Sequence, residues 1–170
     1  RDVKLAGGVL WLERNGVAYH KAYGQRALAP MAEAMTEDTL FDVASITKVL
    51  AGASAAMLCV ERGLLKLDDP VSKHLPEFAG EGREKVTVKH LLLHSSGLPL
   101  NLNPQSQPFA NHDEAIAQIC RTNLLFEPGA LFSYSSVGTM LLGGVIECAT
   151  GRKFDEFCTT EIFQPLGMND

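Results

Sequence analysis

The sequence lacks several features that mark common classes of protein. Its 170 residues include four cysteines but no Cys-x-x-Cys pair, which argues against a zinc site. It has no basic run, and its net charge is −5, which argues against a nucleic-acid partner. No apolar stretch is long enough to span a bilayer. The chain starts at Arg1 with neither a methionine nor a signal-peptide pattern, which is compatible with a removed leader and leaves both a cytoplasmic and a periplasmic location open.

What is present fits one globular domain. The chain has the length of a single domain and is 46% apolar, enough to bury a core. Cys59 and Cys148 fall in apolar helical patterns, so we expect the cysteines to be small buried hydrophobic residues without a disulfide framework. No metal or organic cofactor is predicted. We expect the histidines that lack metal-ligand spacing to lie on the surface: His20, His74, His90 and His112.

Turn signals predict a β-hairpin at the start of the chain. Two apolar runs within residues 7–24 flank Asn15-Gly16, the strongest two-residue turn signal. Both faces of the first strand are apolar, so we expect it to be covered on both sides. Residues 25–40 have a mixed composition that predicts a connecting loop.

The rest of the chain predicts mostly helices. A helix over residues 45–63 ends at Gly63 and carries an apolar stripe at helical spacing, which we expect to face the core: Ile46, Val49, Leu50, Ala53, Met57 and Val60. Cap and stop signals predict further helices from Thr87 to His94, from about Asp113 to Arg121, from Ser136 to Gly151, and from about Lys153 to before Pro165. We expect the helix after Ser136 to bury Val137, Met140, Leu141, Val145 and Cys148.

Ser45 and Lys48 are three residues apart at the start of the first predicted helix and therefore share one of its faces. Ser45 stands at the positive end of the helix dipole, where a developing anion is stabilised. This geometry suits a serine nucleophile whose proton is taken by a nearby amine. A Ser-x-x-Lys tetrapeptide is common by chance, and the alternative is an N-terminal cap followed by a solvated lysine.

Four stretches, in one order along the chain, carry a resemblance to a known family. They are residues 38–48, 91–99, 126–136 and 162–168. Together they closely resemble the serine β-lactamase-related family, which includes class C β-lactamases, DD-peptidases and carboxylesterases of the same fold. The resemblance implies an α+β fold, with an antiparallel sheet flanked by helices and a largely helical subdomain.

The resemblance makes residues 1–170 the N-terminal portion of a single catalytic domain. In this division, residues 1–44 hold a hairpin of the sheet and a loop, residues 45–63 form the nucleophile helix, and residues 64–170 form a mainly helical region. The family continues beyond such a chain with a third motif, Lys/His-x-Gly, the second oxyanion donor and the remaining strands. A two-stranded sheet is not stable alone, and its edges invite pairing. We therefore expect a second polypeptide or self-association to complete the sheet.

The resemblance also implies catalytic roles. Ser45 corresponds to the acylated nucleophile, Lys48 to its activating partner, and Tyr134 to the tyrosine that shuttles a proton in the family's Tyr-x-Asn motif. Unperturbed lysine and tyrosine both titrate near about 10. Placed together, an ammonium favours a phenolate and burial favours a neutral amine, so the pair titrates as a unit and either member could be the base. The backbone N–H of Ser45 is the expected first oxyanion donor.

Ser136 departs from the family pattern because it replaces the asparagine of that motif. In the family this asparagine contacts the amide side chain of β-lactam and peptide substrates, and a serine weakens the contact unless a water bridges the gap. Ser136 is therefore the expected substrate-binding residue, and an ester is the favoured substrate. A class C-type β-lactamase or DD-carboxypeptidase is the alternative, and a non-catalytic binding or assembly module is the second. The family places His94 in a structural turn, so we expect a core histidine there.

Overall fold

The computed structural model describes residues 5–102 and 109–168. The chain divides into two compact units, one ending at Val43 and one beginning at Ala44. The first unit holds all three strands, which form one sheet in the order β1-β2-β3. The second unit holds the helices. No helix among the described residues is long and apolar enough to cross a bilayer.

The sheet is built on the predicted hairpin, which the structure confirms. Strands β1 (Gly7–Arg14) and β2 (Val17–Ala27) are antiparallel, with Arg14 paired to Val17 next to the turn. Asn15 and Gly16 both have positive φ, 53° and 77°, as a two-residue hairpin turn that matches the strand twist requires. The turn therefore fixes the register of the whole ladder.

Two expectations for this region are wrong. Residues 25–40 are not only a loop, because β2 extends to Ala27 and a third strand, β3 (Glu33–Ala34), pairs with it. Arg26 Nε donates to Glu33 Oε2 at 2.9 Å across this pair, a contact that no local pattern announces. The first strand is not covered, since the exposed fractions of Trp11 and Leu12 are 62% and 57%.

The second unit is a set of helices with a common core. Helix α1 starts with a wide turn over Lys48–Ala53 and continues over Ser54–Glu61. Two short 3-10 turns, Val71–Lys73 and Arg83–Lys85, precede the remaining helices. These are α2 (Val88–Leu92), α3 (His112–Cys120), α4 (Ser136–Thr150) and α5 (Phe154–Cys158), the last followed by another wide turn over Thr159–Phe163.

Side-chain caps start α2 and α4 where the sequence predicts. Thr87 Oγ1 accepts from His90 N and His90 Nδ1 accepts from Thr87 N, a reciprocal capping box at α2. Ser135 Oγ accepts from Gly138 N at 2.9 Å to cap α4, which ends at Gly151 with φ 67°. His90 is thus a capping residue, and the prediction that it is only a surface residue is wrong.

The buried face of α1 is not the predicted stripe. Ala51, Ala55, Ala56 and Cys59 are buried, whereas large side chains of the stripe are exposed: Ile46, Val49, Leu50 and Met57. Apolar residues occur on the small-residue face as well as on the predicted stripe, so periodicity alone could not choose the inner face of the helix. Small residues allow close approach, as at Gly52, where a Cβ would lie 3.6 Å from Thr139 Cγ2 of α4.

Other predictions of buried and exposed side chains are partly right and partly wrong. In α4, Val137, Leu141 and Val145 are buried as predicted, but Met140 and Cys148 are exposed. The other cysteines are buried free thiols, and burial is the main cause that raises the pKa of Cys120 and Cys158 to about 11. His74 is also not a surface residue, because its side chain is 10% exposed and hydrogen-bonds Asp69.

Candidate active site

The start of α1 brings Ser45 and Lys48 together. Ser45 lies in the turn just before the helix, and its carbonyl oxygen accepts from Lys48 N at 3.1 Å. One helical turn of separation places the two side chains on one face, and Lys48 Nζ donates to Ser45 Oγ at 3.3 Å. The spacing seen in the sequence therefore becomes a direct contact between an amine and a hydroxyl.

Ala44, the residue before Ser45, has a left-handed backbone conformation with φ 44°. This region is disfavoured for a residue with a Cβ, and such strain tends to persist where the surrounding structure imposes it. The carbonyl of Ala44 accepts from Thr47 N at 3.1 Å, which closes the turn. The tight turn fixes where Ser45 leaves the loop and enters the helix.

Tyr134 completes a cluster with these two residues. Lys48 Nζ lies 5.2 Å from the centroid of the Tyr134 ring. Hydrogen bonding to Ser45, in the first place, and to Lys48 lowers the pKa of Tyr134 below its ordinary value. The phenol is therefore poised closer to ionisation than a free tyrosine. The structure thus brings together the three residues that the sequence proposed as catalytic, from segments about 90 residues apart.

Two loops hold Tyr134 in place. Ser133 N donates to the carbonyl of His94 at 2.8 Å, and Ser136 N donates to the carbonyl of Leu100 at 2.9 Å. Between them, Ser135 Oγ donates to the carbonyl of Pro99 at 2.7 Å while it caps α4. Ser136, the predicted substrate-binding residue, follows as the first residue of α4 and faces the same pocket as Lys48.

His94 touches this cluster in a way that the sequence did not reveal. It occupies a turn with φ 54°, consistent with the expected structural role. Its Nδ1 accepts from Ser135 N at 3.2 Å, and its ring centroid lies 4.4 Å from that of Tyr134. Burial, followed by the charge of Lys48, lowers the pKa of His94, which favours the neutral imidazole. Ser95, Ser96 and Gly97 after it indicate a turn, but no nearby residue in the sequence predicts the contact between His94 and Tyr134.

The arrangement has the elements of nucleophilic catalysis. A hydroxyl contacts an amine, and a phenol with a lowered pKa lies beside the same amine. No group of three histidine, cysteine or acidic side chains within residues 5–102 and 109–168 is placed to hold a metal ion.

Residues 2–170 match the model of the protein family described as Beta-lactamase. The chain belongs to this family. It is 34% identical to penicillin-binding protein 4* of Bacillus subtilis (strain 168), over 96% of this chain and 37% of that protein. It is 35% identical to esterase EstB of Burkholderia gladioli, over all of this chain and 47% of that protein. The curated relatives are therefore more than twice as long as the part that this chain spans.

The β-lactamase relationship extends to the fold. The structure superimposes on a class C β-lactamase from Rhodobacter sphaeroides with a TM-score of 0.79 at 28% identity, covering 95% of this chain and 44% of that one. The prediction of an α+β, β-lactamase-like fold is confirmed, with its small antiparallel sheet and largely helical region. The resemblance drawn from four sequence stretches is confirmed as well.

Proposed function

We propose that this chain carries the nucleophile and the proton-transfer groups of a serine hydrolase that cleaves an ester through an acyl-Ser45 intermediate. The observation that carries the proposal is the contact of Lys48 Nζ with Ser45 Oγ at 3.3 Å, together with the position of the same Nζ 5.2 Å from the centroid of the Tyr134 ring. One amine thus lies beside both the hydroxyl and the phenol.

The proposed reaction has two halves. The Lys48–Tyr134 pair accepts the Ser45 hydroxyl proton as Oγ attacks the ester carbonyl, and the backbone N–H of Ser45 stabilises the oxyanion. The pair then gives the proton to the departing alkoxide. The alcohol is released, and the acyl group remains covalently attached to Ser45. A water molecule repeats the attack, gives its proton to the same pair, and releases the carboxylic acid while Ser45 regains its proton.

The ester is favoured over a lactam for two reasons. Ser136 occupies the place of an asparagine in the motif that includes Tyr134, and its shorter side chain weakens an amide contact. All of this chain also aligns with a protein named an esterase, of which it covers 47%. The alternative substrate is a β-lactam, which the family description favours, or a D-alanyl peptide, which the similarity to a protein named a putative D-alanyl-D-alanine carboxypeptidase favours.

The decisive experiment is intact-mass spectrometry of the whole chain before and after treatment with a fluorophosphonate, followed by peptide mapping. We expect one adduct, on Ser45, that is absent from Ser45→Ala and retained in the control Ser54→Ala, whose serine lies on the same helix. Absence of any adduct would reject the proposal that this chain does the chemistry by itself, and would favour a non-catalytic module or a site that a second polypeptide completes. Hydrolysis of p-nitrophenyl butyrate should exceed that of a chromogenic cephalosporin, and the reverse ranking would replace the ester proposal by the β-lactamase.

We further propose that a second polypeptide or a second copy of this chain completes the sheet. Among the described residues the sheet has three strands with β1 at one end, and the strand at the other end, β3, is only two residues long. Such strand edges invite pairing. Light scattering of the whole chain should give a mass above the chain mass of 18.4 kDa. A monomeric wild-type chain would reject the proposal, and co-purification of a different polypeptide would favour a second polypeptide over self-association.

A further inference from the structure

A pocket of about 320 Å³ opens between α1, α3 and the first half of α4. Its walls are mostly apolar and include four side chains and two glycines: Ala115, Ile116, Met140, Phe154, Gly52 and Gly143. The volume lies at the low end of the range for small-molecule sites. The pocket therefore suits one slender apolar group better than a bulky ligand.

Glycines keep this pocket empty. A Cβ at Gly143 would meet only Phe154 Cγ within 4 Å, at 3.9 Å, and a Cβ at Gly52 would meet only Thr139 Cγ2, at 3.6 Å. The neighbouring Gly144 differs, because a Cβ there would lie 3.2 Å from Ile116 Cδ1 in packed core. Space beside Gly143 is thus available to a ligand, while space beside Gly144 is not.

The pocket is next to the nucleophile. Lys48, whose Nζ contacts Ser45 Oγ, lines the pocket, and so does Ser136. A group that is covalently attached to Ser45 would lie one side chain away from the pocket. The histidine at its edge, His112, directs Nδ1 toward Asp113 and Glu147, at 3.4 and 3.7 Å, so this ring nitrogen has carboxylate partners of its own.

We propose that this pocket binds the apolar acyl chain of the ester substrate, so that the enzyme selects unbranched acyl groups of medium length. The inference rests on the proposed function, because it assumes an acyl-Ser45. The acyl chain stays attached through both halves of the reaction, whereas the alcohol must leave after the first half. A partly enclosed apolar pocket therefore suits the acyl chain better than the alcohol. Each buried methylene should raise kcat/KM about fourfold until the pocket is full.

The test varies the acyl chain of p-nitrophenyl esters from acetyl to dodecanoyl with a constant leaving group. We expect kcat/KM of the wild-type chain to rise from acetyl to about hexanoyl and then to level off. Gly143→Val should move the optimum toward acetyl, and Met140→Ala should move it toward longer chains. Gly143→Ala is a milder filling variant that keeps the helix, since alanine favours a helix over glycine and its methyl meets only an ordinary contact. Cys148→Ala, on α4 but outside this pocket, is the matched control.

A second measurement does not depend on turnover. With methionine methyl groups labelled with carbon-13, titration with octanoate should shift the Met140 methyl signal of the wild-type chain, and acetate should not. Gly143→Val should remove the shift. An acyl-length profile that is identical in all variants, together with an unmoved Met140 signal, would overturn the inference. The inference would also be overturned if kcat/KM depended on the length of the alcohol, measured in a series of acetate esters, and not on the length of the acyl chain.

The two proposals fail in different ways. Octanoate binding at Met140 without ester hydrolysis and without a fluorophosphonate adduct on Ser45 would support the pocket and reject the esterase. Ester hydrolysis with an adduct on Ser45, but with no effect of Gly143→Val or Met140→Ala on chain length, would support the esterase and reject the pocket.

Discussion

The two compact units of this chain differ in how their structure is held together. Among described residues up to Val43 none is buried, and backbone pairing around one turn organises the sheet. From Ala44 onward, large side chains such as Phe78, Leu141 and Phe157 are fully buried. All three proposed catalytic residues lie in the second unit. The buried core of the second unit can therefore position Ser45, Lys48 and Tyr134 by its own packing. The sheet of the first unit has no buried side chains among its described residues, so backbone hydrogen bonds rather than a core hold its strands together.

Hydrogen exchange of the whole chain should give the largest contrast between the units. Amides in the middle of α4 should exchange only through global unfolding, with protection on the order of 10⁴ for a stability of about 5 kcal/mol. Amides of β1 and β2 should be protected by less than about 100-fold, because no buried side chains support their ladder. Equal protection in both units would contradict the comparison and would mean that the sheet is covered in solution.

Matched leucine truncations test the same contrast in free energy. Leu141 is fully buried in α4, so Leu141→Ala should lower the free energy of unfolding by about 3 kcal/mol. Leu12 lies on β1 with 57% of its surface exposed, so Leu12→Ala should change it by less than about 0.5 kcal/mol. Urea unfolding followed by circular dichroism measures both. A large loss for Leu12→Ala would show that its strand packs against something in solution.

The contrast also explains which features the sequence could predict. Local signals were sufficient for the hairpin at Asn15-Gly16, the cap at Thr87 and the end of α4 at Gly151, because each depends on residues within one turn. The contact of Ser45 with Lys48 followed from helical spacing for the same reason. Tyr134 required the family motif, since its place beside Lys48 depends on packing between distant segments.

The failures have a common physical cause. Helix α1 has apolar residues on two faces, so its hydrophobic period did not show which face is buried. The face with small side chains is buried, and the face with large ones is exposed. Strand β3 is two residues long and pairs with β2 beyond a mixed segment. The ring nitrogens of His90 and His94 accept hydrogen bonds from backbone N–H groups, which a pattern of side-chain types does not reveal.

Substitutions in the proposed proton-transfer pair can be matched with the same residue types in the sheet. Lys48→Ala and Tyr134→Phe should each slow acylation of Ser45 about 100-fold or more, because each removes a group that moves the Ser45 proton. Lys21→Ala and Tyr19→Phe in β2 should leave the rate unchanged. Stopped-flow release of p-nitrophenol measures acylation directly. A wild-type rate of acylation in Lys48→Ala or in Tyr134→Phe would remove that residue from the proposed mechanism.

His94 tests a finer point within the helical unit, namely that Tyr134 is positioned through the backbone. Neutral Nδ1 accepts the Ser135 N–H, and a protonated imidazole has no acceptor. Because the folded-state pKa of His94 is lowered, its contribution should be complete above the ordinary value of about 6.5 and lost as pH falls through the lower folded value. Acylation and stability should therefore decline together on the acid side.

Two variants separate the acceptor from the ring. His94→Ala removes the acceptor and should slow acylation about tenfold at neutral pH, the net value of one hydrogen bond. His94→Asn tolerates the positive φ and offers an Oδ1 acceptor that does not titrate, so it should retain more of the rate and lose the acid-side decline. If the pH profile of His94→Asn superimposed on that of the wild type, the decline would belong to Lys48 and Tyr134, and His94 would only shape the turn.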